Sequence, residues 1–284
     1  FRGWLGLREI ALQKEAVESG SGRWNTHGIE PWSFGDYERL RFCGAEAVIE
    51  PESFRTLERY FFHGGFPEHV QKENSAEIWK NLREDIEDKA VEKDLARILK
   101  IRREPALKAL FVALVRESGA IFDASARAKD FGVSRQKISR WTEQLEKTGL
   151  IQVLPRRAKS SRKSTRAHPK IYAIDPALVA AFSIEGDPKN SVTVRSKAAE
   201  TAFLRHARAL ARRLDGRLTF YRVEKESEAD FVLEHKGGPI VFEITTSAEA
   251  TKDKKKKIAQ VAEDIQATAA ALEATCRNID LVQT

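Results

Sequence analysis

Apolar residues recur at helical spacing through the first two thirds of the chain and alternate at strand spacing through much of the last third. Leu7 to Val17 reads as a helix broken by the Gly/Ser/Asn stretch SGSGRWN. IEPWSFGDYERL steps into Pro31 and predicts a short helix capped by Ser33. PESFRTLERYFFHGGFPEHV, residues 51–70, predicts an aromatic-rich amphipathic helix that stops at Gly64-Gly65. Residues 75–103 read as a long, highly charged helical stretch, and Glu104-Pro105 restarts the helix because proline suits a first turn.

The pattern then changes. Leu107, Leu110, Phe111, Leu114 and Val115 form one apolar face of a helix, and a short second helix is expected from about Ala124 to Asp130. Ser134 caps a third, with Ile138, Trp141, Leu145 and Leu150 at helical spacing. IQVL and KIYAID follow as strands around a basic loop. Three helices and a two-stranded wing predict a winged helix-turn-helix. Beyond Val192 come a helix from Ser196 to Leu214, strands in LTFYRVE, ADFVLEH and PIVFEIT, a helix from roughly Lys254 to Ala274, and a last strand in IDLVQT. The expected fold class is therefore multi-domain α/β: a helical connector over 41–104, a winged helix over 105–183 and an αβββαβ domain over 184–284.

Composition sharpens this only in part. The 284 residues hold 49 Lys plus Arg against 42 Asp plus Glu, a net charge of +7 that suits a polyanionic partner. Cys43 and Cys276 lie far apart with no CxxC or Cys/His cluster, so neither a disulfide framework nor structural zinc is indicated. His63 and His69 flank GGFP without further ligands at metal spacing. No apolar run approaches a membrane span and no signal peptide opens the chain, so no membrane partner and a cytoplasmic location are expected.

The charge is concentrated. The third helix opens SRQKISRW, which makes Ser134, Arg135, Gln136, Lys137 and Arg140 the candidate DNA contacts, since residues at the start of such a helix reach base edges. Between Ile151 and Lys170 stand seven Lys/Arg and no acid. Arg156, Arg157, Lys159, Arg162, Lys163 and Arg166 are the candidate phosphate contacts there. The alternative is a protein-packing winged helix with a solvated charge run. The lysine-rich TKDKKKK, 251–257, reads more simply as an exposed helix face.

Within EADFVLEHKGGPIVFEITT, alternation places Ile240, Phe242 and Ile244 on one face and Val241, Glu243 and Thr245 on the other. Asp230 sits on the neighbouring strand across a Gly-Gly turn, so Asp230 and Glu243 could converge on one divalent cation, with Glu200 a third carboxylate from the preceding helix. The competing reading is two acids on a solvent-facing strand pair.

This arrangement resembles the PD-(D/E)xK nuclease superfamily, whose core has the αβββαβ order of restriction endonucleases. The resemblance assigns Asp230, Glu243 and Glu200 to its catalytic acids and Mg²⁺ to Asp230 and Glu243. Its lysine falls on Thr245, which cannot supply a positive charge for the developing phosphorane. Lys225, Lys252 and Lys254 are the alternative sources of that charge. The domain is accordingly expected to cut slowly or not at all.

Taken in order, SGSGRW, IEPWSFGDY, YFFHGGFPEHV, the winged helix and EADFVLEHKGGPIVFEI resemble the C-terminal two thirds of archaeal and bacterial AAA-type ATPases that carry a nuclease-like domain of unknown function. The resemblance implies that residues 1–40 end an ATPase domain and that ATP with Mg²⁺ is the cofactor of that domain; it makes Arg23 a candidate nucleotide-sensing arginine, the simpler reading being a surface or helix-capping one. No GxxxxGK[ST] occurs in the chain, and no methionine, position 1 included. A P-loop and a Walker-B acid are therefore expected upstream of Phe1. The function expected is the duplex-DNA-engaging portion of such an ATPase, the alternatives being a Mg-dependent nuclease and a protein-interaction scaffold that binds a protein partner or itself.

Overall fold

Ser33 accepts the amide of Asp36 at 3.2 Å and donates its hydroxyl to the Asp36 carboxylate at 2.6 Å, a reciprocal cap that starts helix α1, Phe34–Arg41. The computed structural model describes residues 31–41, 51–95, 104–157, 168–223, 227–246, 259, 261, 268–273 and 281–283. Helix α2, Pro51–His63, ends where Gly64 takes a left-handed φ of 77°, as the Gly-Gly stop predicts. Helix α3, Ser75–Leu82, is capped by Asn74 and continues as a wider π-helical stretch, Arg83–Leu95.

Helix α4, Pro105–Arg116, buries all five of the apolar residues expected to form its inner face. Helices α5, Ala124–Asp130, and α6, Arg135–Lys147, start on the side-chain caps of Asp123 and Ser134. Strands β1, Ile151–Leu154, and β2, Lys170–Ala173, pair antiparallel with Leu154 opposite Lys170. Helix α7, Pro176–Ala181, gives no signal in the sequence, because every one of its residues is buried and no polar stripe marks a period.

Helix α8, Val192–Arg213, packs on a mixed sheet of β3, Arg217–Val223, β4, Ser227–His235, β5, Gly238–Thr245, β6, Thr268–Glu273, and β7, Leu281–Gln283, ordered as numbered. Here the sequence reading is corrected. The helix expected to run to Ala274 gives way to β6, which pairs parallel with β5 in the register Ile240 to Thr268. TAAALE has strong intrinsic helix propensity, and ladder pairing beside a buried central strand overrides it.

The hairpin and the sheet are joined edge to edge. The Phe220 amide donates to Pro155 O at 3.0 Å and the Arg157 amide to Phe220 O at 2.7 Å, so the chain leaving β1 runs along β3. Arg208 of α8 donates to Val153 O at 2.9 Å, and Ser118 and Thr201 share a buried hydroxyl contact at 2.8 Å.

A second junction lies at the start of α7. Asp175 is fully buried; it accepts the Gly65 amide at 2.8 Å and pairs with Arg205 of α8 at 3.4 Å. Arg205 also donates to Trp32 O at 2.6 Å, to Tyr60 Oη at 3.0 Å and to Ile174 O. The Trp32 amide closes the ring on Gly65 O at 2.7 Å. Segments from four parts of the chain thus meet on one guanidinium.

His206 follows Arg205 on α8, and burial, with the neighbouring guanidinium, lowers its pKa from 6.5 to about 4 against a small opposing pull from Asp36. The folded state therefore holds the neutral ring. The resulting stability is complete above about pH 6.5 and is lost as pH falls toward 4, amounting to about 3 kcal/mol at most. Burial lowers the pKa of His69 with the same sign. Urea unfolding across this range should show the midpoint falling with acidity, and His206→Gln should flatten that fall. An unchanged pH profile in His206→Gln would remove His206 from the account.

Candidate functional site

Two regions hold the sequence candidates. On α6, Ile138, Trp141 and Leu145 are buried while Ser134, Arg135, Gln136 and Arg140 are exposed, so the helix presents its first turns to solvent. The Ser134 hydroxyl oxygen accepts the Lys137 amide at 3.2 Å, which assigns it to capping. The Lys137 ammonium is held by Glu104 at 2.8 Å and sits 4.9 Å from the Trp141 ring centroid, a cation–π contact.

The basic loop divides. Arg157 pairs with Glu234 at 2.7 Å, and Arg156 donates to Arg222 O, so both arginines fasten the hairpin to the sheet. Lys159, Arg162, Lys163 and Arg166 lie outside the described residues, as do Arg23, Lys225, Lys252 and Lys254.

The second region is the carboxylate cluster. Residues 231 and 242 face each other across β4 and β5, which brings the next pair, Asp230 and Glu243, together: Glu243 Oε2 accepts the Asp230 amide at 3.3 Å. This corrects the solvent-facing alternative for Asp230: Glu243 is half-buried, and Asp230 is only 7% exposed. Its Oδ2 accepts the Ile244 amide at 3.1 Å.

Its Oδ1 meets a lysine from the basic run between Ile151 and Lys170. Lys170, the first residue of β2, is 4% exposed, with Nζ 3.2 Å from Asp230 Oδ1, 3.0 Å from Glu228 Oε1 and 5.5 Å from the Phe220 ring centroid. Burial alone would lower the Lys170 pKa, but the carboxylates of Asp230, Glu200 and Glu228 outweigh it and hold the ammonium above the ordinary lysine value. The pair therefore stabilises the fold throughout neutral pH, and that contribution is lost only as pH rises beyond the lysine range. Glu200 is brought to the same cluster, with Tyr172 Oη 3.5 Å from its Oε2; burial, then the nearby Glu200 charge, pushes the phenol well above its usual pKa. Glu200 also lies against Gly119, where a β-carbon would crowd its carboxylate.

Residues 54–189 match DUF8612, a domain of unknown function, and residues 195–282 match DUF4143, also a domain of unknown function. The second type commonly occurs in the C-terminal region of AAA-ATPase-like proteins. No curated protein and no solved structure matches the chain.

The boundary between the two matched segments falls at the start of α8. The cluster therefore spans both: Asp230, Glu228, Glu243 and Glu200 belong to the DUF4143 segment, and Lys170 and Tyr172 to the DUF8612 segment. Sixty residues separate Lys170 from Asp230, and no local pattern announces their meeting. Period-two spacing sets Lys170 and Tyr172 on one face of this strand, and a charged residue opening a buried strand is the signal available. Among the described residues, no group of three or more His, Cys, Asp or Glu side chains is set to hold a metal, and no helix is long and apolar enough to cross a membrane.

Proposed function

We propose that this chain is the duplex-DNA-engaging portion of an AAA-type ATPase, in which α4 to β2 act as a winged helix and ATP with Mg²⁺ would be bound elsewhere in the ATPase. The observation that carries this reading is the exposed opening of α6. Arg135, Gln136 and Arg140 are carried outward by a helix whose other face is locked into the core, so the backbone that presents them is already ordered and only side-chain rotamers remain to be fixed on binding. The DUF4143 match supports the ATPase setting.

The division of the basic loop refines the expected contacts. With Arg156 and Arg157 engaged by the sheet, phosphate contact falls to Lys159, Arg162, Lys163 and Arg166. Each neutralised phosphate contributes about 0.9 to the slope of log K against log salt, so these four account for a slope of roughly 3 to 4. Replacing the four by alanine should flatten fluorescence-anisotropy titrations of a labelled duplex by that amount. Arg135→Ala and Arg140→Ala should instead change preference among duplex sequences, each by about 1–3 kcal/mol at the contacted base pair. Affinity and salt slope unchanged in the four-fold variant would remove the loop from the contacts, whereas a wild type without salt-dependent duplex binding would sink the reading and favour a protein-binding scaffold.

A further inference from the structure

We infer that the Lys170 ammonium occupies the cation position of the carboxylate cluster, so that the Asp230 site is closed to divalent metal and serves instead as a latch between hairpin and sheet. The inference is independent of DNA binding. It answers where the positive charge missing at Thr245 has gone: it arrives from β2, with a different outcome from a nuclease lysine.

The argument is one of valence and space. Both Asp230 oxygens are taken, Oδ1 by the ammonium at 3.2 Å and Oδ2 by the Ile244 amide at 3.1 Å. The ammonium itself has three donors. One meets Asp230, one meets Glu228 at 3.0 Å, and the remaining side of the head group lies over the Phe220 ring. A Mg²⁺ ion needs six oxygens at about 2.1 Å and keeps several waters among them. Lys170 fills the volume those waters would need, and Tyr172, fully buried beside Phe231 at a centroid distance of 5.8 Å, covers the cluster from the same strand. The residues present therefore do not fit the Mg²⁺ that the nuclease resemblance implies. The same contacts tie β2 to β4, so the charge that excludes metal also seats the hairpin.

Removing the ammonium while leaving the acids should turn the latch into a metal site. Lys170→Met keeps the length and apolar stem but leaves the carboxylates uncompensated in a buried setting, which is unfavourable unless a cation enters. In thermal unfolding with EDTA against millimolar MnCl₂, the wild type should show no difference. Lys170→Met should melt lower in EDTA and regain about 5 °C with Mn²⁺. Calorimetric titration with Mn²⁺ should register one site in Lys170→Met and none in the wild type. Lys170→Met/Asp230→Asn, with the partner charge removed as well, should be more stable than Lys170→Met in EDTA and should ignore Mn²⁺.

Three results would each overturn the inference. One is Mn²⁺ binding, or metal-dependent DNA cleavage, in the wild type that Asp230→Asn abolishes. Another is a Lys170→Met protein that gains no metal response or fails to fold with and without Mn²⁺. The third is a double variant no more stable than Lys170→Met.

Discussion

Arg205→Ala is expected to lower the unfolding free energy by about 3–5 kcal/mol, the cost of leaving a buried carboxylate without its partner. Asp175 is fully buried and would keep only two backbone amides, those of Gly65 and Ala177, as donors. The carbonyls of Trp32 and Ile174 would lose a charged donor at the same time. Urea denaturation measures the loss directly. Arg205→Met/Asp175→Asn should recover part of it, because asparagine retains a carbonyl acceptor and brings no charge that needs neutralising. A loss below about 1 kcal/mol in Arg205→Ala would mean that water or a rearranged side chain takes over the guanidinium's place.

The second large effect falls on the Gly-Gly step. An alanine β-carbon at Gly65 would overlap the Trp32 carbonyl oxygen, a backbone atom that is itself held by Arg205 and Tyr60 and so cannot move cheaply. At Gly64 the β-carbon would overlap the Asp175 carboxylate, and φ is 77°. We expect Gly65→Ala and Gly64→Ala each to cost about 3 kcal/mol, from overpacking added to a weakened polar junction. Gly132 is the control, with φ of 63° and nothing within 4 Å of a new β-carbon. Gly132→Ala should cost about 1 kcal/mol, the conformational part alone. Equal losses at Gly64 and Gly132 would show that backbone conformation, and not the close approach to Asp175, is what Gly64 supplies, and a loss at Gly65 below about 1 kcal/mol would remove the Trp32 contact from the account.

The two junctions give the hairpin its setting. Asp175 follows β2 and is locked to Gly65, just past α2, and to α8; Lys170 opens β2 and is locked to β4. Both ends of one short strand are thus anchored by buried charge. Replacing such pairs by well-packed apolar groups need not destabilise a protein, so their value here is geometric: an ion pair is satisfied in one register, and a slipped β2 would strand both charges.

The sequence by itself determined what depends on near neighbours. Caps at Ser33 and Ser134, the apolar face of α4 and the exposed opening of α6 are local matters of hydrogen-bond supply and helical period, and all are found as read. The adjacency of Asp230 and Glu243 was legible for the same reason, because a tight turn fixes the register of β4 on β5. Only the tertiary structure decided which charges face solvent. Lys170 reads as one more cation in a basic wing, and Arg156 and Arg157 as phosphate contacts, until β3 and β4 arrive to claim them. TAAALE reads as helix until β5 offers it a ladder. Trp32 and Arg205 stand 173 residues apart, and nothing in either neighbourhood specifies the other. A side chain's charge is written in the sequence, but its partner is chosen by whichever segment folding brings within about 3 Å, because only at that distance does a hydrogen-bonded ion pair offset the loss of water.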